Sequence, residues 1–440
     1  MTNSAIPIDS MKQREPLHIA YLVQQFPPEV GAGPARVTEM AMRWLAEGSR
    51  VTVITGMPNR PFGRIFPEYR GKLFDEENWQ GIRVLRSWLY ASPKHGLART
   101  LVNNTTFMVT AATHALLRAG RPDVLIASSP PFFPHISGVL VGSLRRIPLV
   151  LELRDLWPDY LVGMGVLSFR PAVKALFALE RALLRRSSHV VVVTESFRCR
   201  VVDKGVAPDK ISVIPNGVET DRYYPAVEAP PLDALVRRGD EFIVGYLGNI
   251  GAGQGLSSVL DAAAALAASG DPVRVVIAGD GPERQRVVDR ARELGLMNVS
   301  IHPPIPKAAT RAFYNACDVC LVPLAPFPIL QETVPSKLFE VMACARPVIA
   351  CLGGEGARIV KESGGGLVVP PGDPLALTCA IRSIVALSPD ERARMGERAR
   401  SYVARHYNRD VLAARYLDVL RAVAQPAPRS PEPDPALVSR

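Results

Sequence analysis

Several things are scarce in this 440-residue chain, and each scarcity excludes something. No run of about 18 uncharged apolar residues occurs, so no transmembrane helix is predicted. The nearest run, Ser137 to Leu153, is broken by Arg145 and Arg146. Met1 to Glu15 is polar and lacks the apolar block of a secretion signal, so the protein is expected to stay in the cytosol. Cysteine is sparse: six residues, scattered. Cys317-x-x-Cys320 has no second pair at metal-binding spacing and lies where a helix runs into an apolar strand, so both read as buried free thiols. Acidic residues are short only in the first half. Residues 1–200 hold 25 Lys/Arg against 15 Asp/Glu, and the remaining 240 hold 27 of each. A basic half can attract nucleic acid, an anionic membrane or an anionic substrate. No RNA-binding aromatic motif, zinc knuckle or recognition helix is present, so nucleic acid is not expected. An anionic membrane surface or a phosphate-bearing acceptor fits better.

What is present is an alternation of strand and helix, stated twice. His18–Val23 reads as a strand, followed by glycines at Gly31 and Gly33, a helix from about Ala35 to Glu47, and the strand Arg50–Thr55. That is a βαβ unit with glycines in its first turn. Further strand runs are 124–127, 149–153, 190–193 and 211–214. Residues 225–240, rich in proline and charge, read as a linker. The grammar then restarts: a strand at 242–247 ending in Gly248, a helix from Leu256 to Ala268, and a strand at 273–278 ending in Gly279-Asp280-Gly281-Pro282. Runs at 319–322, 348–350 and 367–369 supply three more. This spacing predicts parallel sheets and an α/β fold of two doubly wound, Rossmann-like domains. Such sheets bind ligands beyond the carboxyl ends of their strands.

The expected organisation is a flexible N-terminus (1–15), a first domain (16–224), the linker (225–240) and a second domain (241–404). A helical segment (405–424) and a disordered tail (425–440) would follow.

The most informative stretch is Glu332-Thr333-Val334-Pro335-Ser336-Lys337-Leu338-Phe339-Glu340, which leads through Ala345-Arg346-Pro347 into an apolar strand. Two carboxylates stand eight residues apart around Pro-Ser and one lysine. Proline suits a first helical turn and serine can cap it, so Glu332 should precede a helix and Glu340 lie inside it. Lys337 with the free amides of that turn makes a site for anionic oxygens, and a carboxylate beside it can accept from paired hydroxyls. The arrangement suits a sugar nucleotide. A pair of solvated glutamates on a surface helix is the ordinary alternative.

This stretch resembles the Glu-x7-Glu motif of retaining glycosyltransferases of family 4, which have the GT-B fold of two domains facing across a cleft. The resemblance covers about residues 16–424. It implies that Glu340 holds the nucleotide ribose and that Glu332, at the catalytic centre, lies near the donor sugar, with Pro335 and Ser336 on the donor side. It also implies that Gly31 and Gly33 face the donor phosphates, that Gly279 and Gly281 border the nucleotide, and that Pro215-Asn216-Gly217 forms a hinge turn in which Asn-Gly favours left-handed backbone. The chain's end is expected to cross back onto the first domain.

The sequence departs from the family at Gly248-Asn249-Ile250-Gly251-Ala252-Gly253-Gln254. Most members carry two cations there for the diphosphate; Asn249 and Gln254 take their places, which leaves Lys337 as the replacement charge. This pattern is similar to an O-antigen and capsule subgroup that includes fucosamine-type transferases, which implies a UDP-activated N-acetylated amino sugar as donor. On the acceptor side the resemblance points to Arg154 and Asp155 as catalytic-centre contacts, with Ser129 at a neighbouring strand end. His135 reads as a structural loop histidine. No Asp-x-Asp metal motif appears, so no metal and no cofactor beyond the UDP-sugar substrate is expected.

The acceptor is expected to be a polyprenyl-diphosphate-linked saccharide. The enzyme would then attach peripherally to the inner face of the cytoplasmic membrane through basic and apolar residues such as Leu97, Arg99, Leu101, Phe107, Met108, Arg145 and Arg146; a solvated charged surface is the equal alternative for them. Two other functions remain open on the residues alone: a UDP-sugar 2-epimerase of the same fold, and a non-catalytic sugar-nucleotide-binding component of a polysaccharide assembly complex.

Overall fold

Fourteen strands form two sheets in a computed structural model that describes residues 16–425, apart from His95 and Met164. The predicted flexible N-terminus, and the predicted tail from residue 426 on, lie outside the described residues. The first sheet takes β1 (His18–Leu22), β2 (Arg50–Gly56), β3 (Phe74–Trp79), β4 (Ile82–Ser87), β5 (Val124–Ser129), β6 (Leu149–Leu153), β7 (His189–Val192) and β8 (Ile211–Val213) in the order β3-β4-β2-β1-β5-β6-β7-β8. The second takes β9 (Phe242–Leu247), β10 (Val273–Ala278), β11 (Val299–His302), β12 (Val319–Pro323), β13 (Val348–Cys351) and β14 (Gly366–Val369) in the order β11-β10-β9-β12-β13-β14. The central pairings are parallel, with Ile19 opposite Val51 and Val244 opposite Val275. β1, β5, β6, β12 and β13 are buried throughout, as expected of strands covered on both faces.

The first sheet is not wholly parallel, as the alternation predicted. β3 pairs antiparallel with β4 across Gln80-Gly81, both at positive φ (51° and 88°), which is the two-residue turn that matches strand twist. That hairpin and β11 are additions to the sequence reading. Gly217 does not adopt the left-handed backbone expected of Asn-Gly. It is required for closeness instead: a Cβ there would lie 2.5 Å from the Tyr407 carbonyl oxygen and 2.7 Å from Leu412 Cδ1.

The chain divides into two compact units. One contains the described residues up to Leu153, with 183–191 and those from Ala413 on; the other contains Arg154–Ala182 and Val192–Leu412. The predicted boundary at 224 therefore shifts. Hydrogen bonds explain why the stretch from Val192 to Tyr224 belongs with the second unit. Thr194 Oγ1 donates to Glu332 O, Glu195 N to Glu355 Oε2, Asn315 Nδ2 to Tyr224 O and Arg400 Nη1 to Tyr223 O. The predicted linker is anchored too: Glu228 receives Arg311 Nε at 3.0 Å, and Leu235 is buried in the second unit's core. In the first unit, the part of the helix Arg409–Ala424 from Ala413 on sets Tyr416 edge-on against Trp44, whose indole N–H donates to Ala413 O at 3.0 Å.

No helix among the described residues is long and apolar enough to cross a membrane. The face predicted to meet a membrane is corrected at Phe107, which is fully buried. Arg145 is exposed and caps the helix Leu97–Arg118, bonding Leu116 O at 2.6 Å and Gly120 O.

Candidate active site

In the second unit the helix Ser336–Ala343 follows a short 3-10 turn, Pro328–Glu332. It is amphipathic. Leu338, Phe339, Val341, Met342 and Ala343 are buried, which leaves Lys337 and Glu340 on the other side, three residues apart and so one above the other. The predicted serine cap is absent: Pro335 occupies the N-cap position, Ser336 is the first helical residue, and no side chain caps the turn. The amides of that first turn are therefore left without a side-chain cap.

Lys337 reaches the carboxyl end of β9. Its Nζ donates to Tyr246 Oη at 2.9 Å and to Gln254 Oε1 at 3.0 Å, and lies 4.1 Å from the centre of the Tyr246 ring. The tyrosine hydroxyl in turn donates to the Asn249 carbonyl at 2.6 Å. Gly248 makes room: a Cβ there would fall 2.8 Å from the ammonium. No carboxylate forms an ion pair with Lys337 among the described residues. Burial therefore pushes its pKa down to about 7, against a smaller upward pull from Glu340.

Glu340 is held by neutral groups as well. Tyr314 donates its hydroxyl to Oε2 at 3.0 Å, and Tyr223 bonds the same carboxylate. Burial raises the Glu340 pKa, while these hydroxyls and the charges of Lys307 and Lys337 oppose the shift. Lys307 begins the 3-10 turn Lys307–Ala309 and brings a second cation to the carboxylate.

Glu332 is in a different situation. Arg200 grips it, with Nε 3.2 Å and 3.1 Å from its two oxygens, while its backbone carbonyl accepts from Thr194. The glycines after β10 allow two loops to approach closely. A Cβ at Gly279 would meet the Gly248 carbonyl oxygen at 1.8 Å, and one at Gly281 the Ile250 carbonyl oxygen at 2.3 Å and Asn249 Oδ1 at 2.7 Å. The loops are tied by Ile250 N donating to Asp280 O at 2.8 Å. Asn249, Gln254, Gly248, Gly279, Gly281, Lys337 and Glu340 thus lie around the carboxyl ends of β9 and β10 and the helix beside them.

Arg154 and Asp155 directly follow β6, and burial pushes the Asp155 carboxyl up to about 6 although Arg154 pulls it down. In the first unit Gly31, at φ 155°, is the N-cap of the helix Ala32–Ala46, and Gly33 lies in its first turn. That turn is fixed from below by Glu152. Its carboxylate accepts from Arg36 Nε at 3.1 Å, Tyr21 Oη at 2.6 Å and Ser128 Oγ at 2.6 Å. Ser129 Oγ donates to the Glu152 carbonyl at 3.4 Å. His135 is a helical residue rather than a loop one: the helix Phe133–Arg145 has Pro134 in its first turn, and the buried ring lies 3.3 Å from the same carbonyl.

Comparison with known proteins places this arrangement. Residues 31–217 match the model of the glycosyl transferase 4-like domain, and residues 233–402 that of glycosyl transferases group 1. The chain is 27% identical over 334 residues to the putative colanic acid biosynthesis glycosyl transferase WcaI of Escherichia coli, covering 74% of this chain and 80% of that protein. It is 26% identical over 309 residues to the probable glycosyltransferase WbjE of Pseudomonas aeruginosa, covering 69% and 76%.

The chain belongs to glycosyltransferase family 4.

Solved structures agree on the fold. A sucrose-phosphate synthase from Thermosynechococcus elongatus superposes with a TM-score of 0.72 at 21% identity, over 92% of this chain and 99% of that one. HepE of Anabaena, in complex with UDP and glucose, gives 0.66 at 18%, over 92% and 99%. This family 4 glycosyltransferase has the GT-B fold. Sequence reasoning about it missed Tyr246, Tyr314, Tyr223, Lys307, Arg200 and Glu152. Tyr246 alone had a local signal, an aromatic with a polar tip two residues before the strand-end glycine. The others come from segments far along the chain and meet the site only through folding.

Proposed function

We propose that this glycosyltransferase moves a sugar, an N-acetylated amino sugar in our reading, from a UDP-sugar to a lipid-linked or saccharide acceptor with retention of configuration, in the building of a cell-surface polysaccharide. The observation that carries the reading is the placement of Lys337 and Glu340 one turn apart on a single helix, beside the glycine loop at the carboxyl end of β9. Glu340 would accept from the ribose hydroxyls, and the Lys337 ammonium would meet the diphosphate. Gly31 and Gly33 in the first unit would present backbone to the donor, and Pro335 and Ser336 would border it. Glu332 would act close to the donor sugar while Arg200 holds it; Arg154 and Asp155 would contact the acceptor.

The chemistry asked of these residues is electrostatic. In front-face transfer the departing diphosphate oxygen takes the acceptor's proton, so no side-chain nucleophile is used, and the cation stabilises charge on the leaving UDP. The reaction as proposed uses no metal. Support for the polysaccharide setting comes from relatives whose names place them in colanic acid biosynthesis, and support for UDP from a neighbour solved with UDP and glucose. A membrane-borne acceptor places the enzyme on the inner face of the cytoplasmic membrane.

Incubation with a panel of UDP-sugars and a membrane extract tests the proposal. Transfer of labelled N-acetylated amino sugar to lipid is the expected result. Conversion of free UDP-sugar to its 2-epimer, or binding without turnover, overturns it.

A further inference from the structure

The helices Trp157–Gly163 and Arg170–Arg186 carry two acids, Asp159 and Glu180. Both turn to the same lysine. Lys204 Nζ lies 2.6 Å from Asp159 Oδ2 and 2.7 Å from Glu180 Oε2, and sits 5.4 Å from the centre of the Phe177 ring. This clamp pins the two helices together and withdraws their negative charge from the surface; Glu180 is 2% exposed.

The outward side is left with cations. Arg170, Lys174 and Arg181 are exposed. Spaced by four and seven residues, they fall on one side of the helix, as a 3.6-residue period requires. None of the three has a carboxylate partner among the described residues. Just before them stand exposed apolar side chains: Val162 at 38%, Val166 at 51% and Phe169 at 68%, with Tyr160 at 41%. Single exposed hydrophobics are normal. Four within ten residues lead along the chain into a basic stripe whose acids have been turned inward, the composition of a segment that lies in a membrane interface.

We infer that Val166, Phe169, Arg170, Lys174 and Arg181 form the face by which this glycosyltransferase docks on an anionic lipid bilayer. The apolar pair enters the headgroup boundary, and the three cations lie over lipid phosphates. Three exposed cations with exposed apolar side chains just before them complement a surface that is anionic above and apolar beneath, which is an anionic lipid bilayer. The inference rests on the reading that the acceptor is held in a membrane. It is a different face from the one expected around Phe107 and Arg145, of which Phe107 lies in the core.

The test is flotation of the full chain with vesicles of phosphatidylcholine, with and without phosphatidylglycerol, at low and high salt. UDP titration calorimetry is run on the same samples. The wild type should float with anionic vesicles at low salt and be released at high salt. The triple variant Arg170→Gln, Lys174→Gln, Arg181→Gln should lose on the order of a hundredfold in partitioning, with UDP affinity unchanged. The charge-keeping pair Arg170→Lys, Arg181→Lys should bind as wild type. Phe169→Ser should lose roughly tenfold with anionic vesicles at low salt. Undiminished flotation of the triple variant, or equal wild-type flotation with neutral vesicles, overturns the inference. If the triple variant also loses UDP affinity, the charge-keeping pair and Phe169→Ser decide by the same criteria. A protein that floats but transfers no sugar overturns the proposed function alone; one that transfers sugar without floating overturns the docking face alone.

Discussion

Both units bury charge at the carboxyl ends of their strands, and they do so in opposite ways. In the first, Glu152 is fully buried beneath the glycine turn and meets an opposite charge, Arg36, with Tyr21 and Ser128 completing its hydrogen bonds. In the second, Lys337 rests on neutral Tyr246 and Gln254, and Glu340 on the hydroxyls of Tyr314 and Tyr223. The first arrangement is complete without a ligand. The second leaves a cation near its neutral form and a carboxylate with a raised pKa, so an arriving anion and hydroxyls would supply what the fold does not. Buried charge therefore marks architecture in one unit and a candidate binding site in the other, and what separates them is the partner.

Removing Glu152 should give the largest effect. Glu152→Leu strands the Arg36 guanidinium in the core, and a stability loss of about 3–5 kcal/mol is expected in denaturant unfolding. A loss under about 1 kcal/mol would erase the contrast.

Lys337→Met comes next. It keeps much of the stem and removes the charge, so turnover should fall at least about a hundredfold, the order seen when one transition-state donor is lost. Stability should not fall as it does at Glu152, because Glu340, the nearby carboxylate, keeps the Tyr314 and Tyr223 hydroxyls and the charge of Lys307. Near-normal turnover would move diphosphate neutralisation elsewhere, with Lys307, Arg154 or Arg36 next to test.

Glu340→Ala should weaken UDP binding about 10- to 100-fold by calorimetry, the worth of hydrogen bonds to a charged group. Unchanged affinity would remove Glu340 from the ribose.

A smaller effect is expected from pH. The folded Lys337 binds its proton only up to about pH 7, whereas an unfolded lysine keeps it to about 10.5. Between those values the unfolded chain holds more protons, so this group's contribution to stability grows as pH rises. Donor binding runs the other way: a diphosphate favours the ammonium, so UDP affinity should fall as pH rises above about 7. Binding at pH 8 should take up a proton, read from calorimetry in buffers of different ionisation enthalpy, and Lys337→Met should abolish the uptake. The smallest effect is Tyr246→Phe, which removes one acceptor from the ammonium and keeps the ring beneath it; about 1 kcal/mol of UDP affinity should be lost.

Much of this protein is written locally. Apolar runs of strand length between amphipathic helices are enough for two α/β sheets, because a parallel strand covered on both faces must be apolar along its length. The Glu332–Glu340 stretch is local too: proline starts a helix after Glu332, and a three-residue spacing puts Lys337 and Glu340 on one side of it.

What the sequence left open is what those side chains meet. That Glu332 is gripped by Arg200, 132 residues away, depends on where the chain returns. So do the meetings of Glu340 with Tyr314 and of Lys337 with Tyr246. Gly279 and Gly281 read in sequence as bordering a nucleotide; the fold adds that a neighbouring loop's carbonyl lies where a Cβ of each would be. Gly217 likewise answers to the Tyr407 carbonyl rather than to its own turn. The unit boundary moved for the same reason: residues 192–224 are bound by hydrogen bonds to partners more than a hundred positions on. Backbone preference and hydrophobic period act over a few residues and can be read along the chain. Ion pairs, desolvation and steric room are set by groups that only tertiary folding brings within a few ångströms, so the secondary structure and the motif belonged to the sequence, while the charge state of the site was decided by the fold.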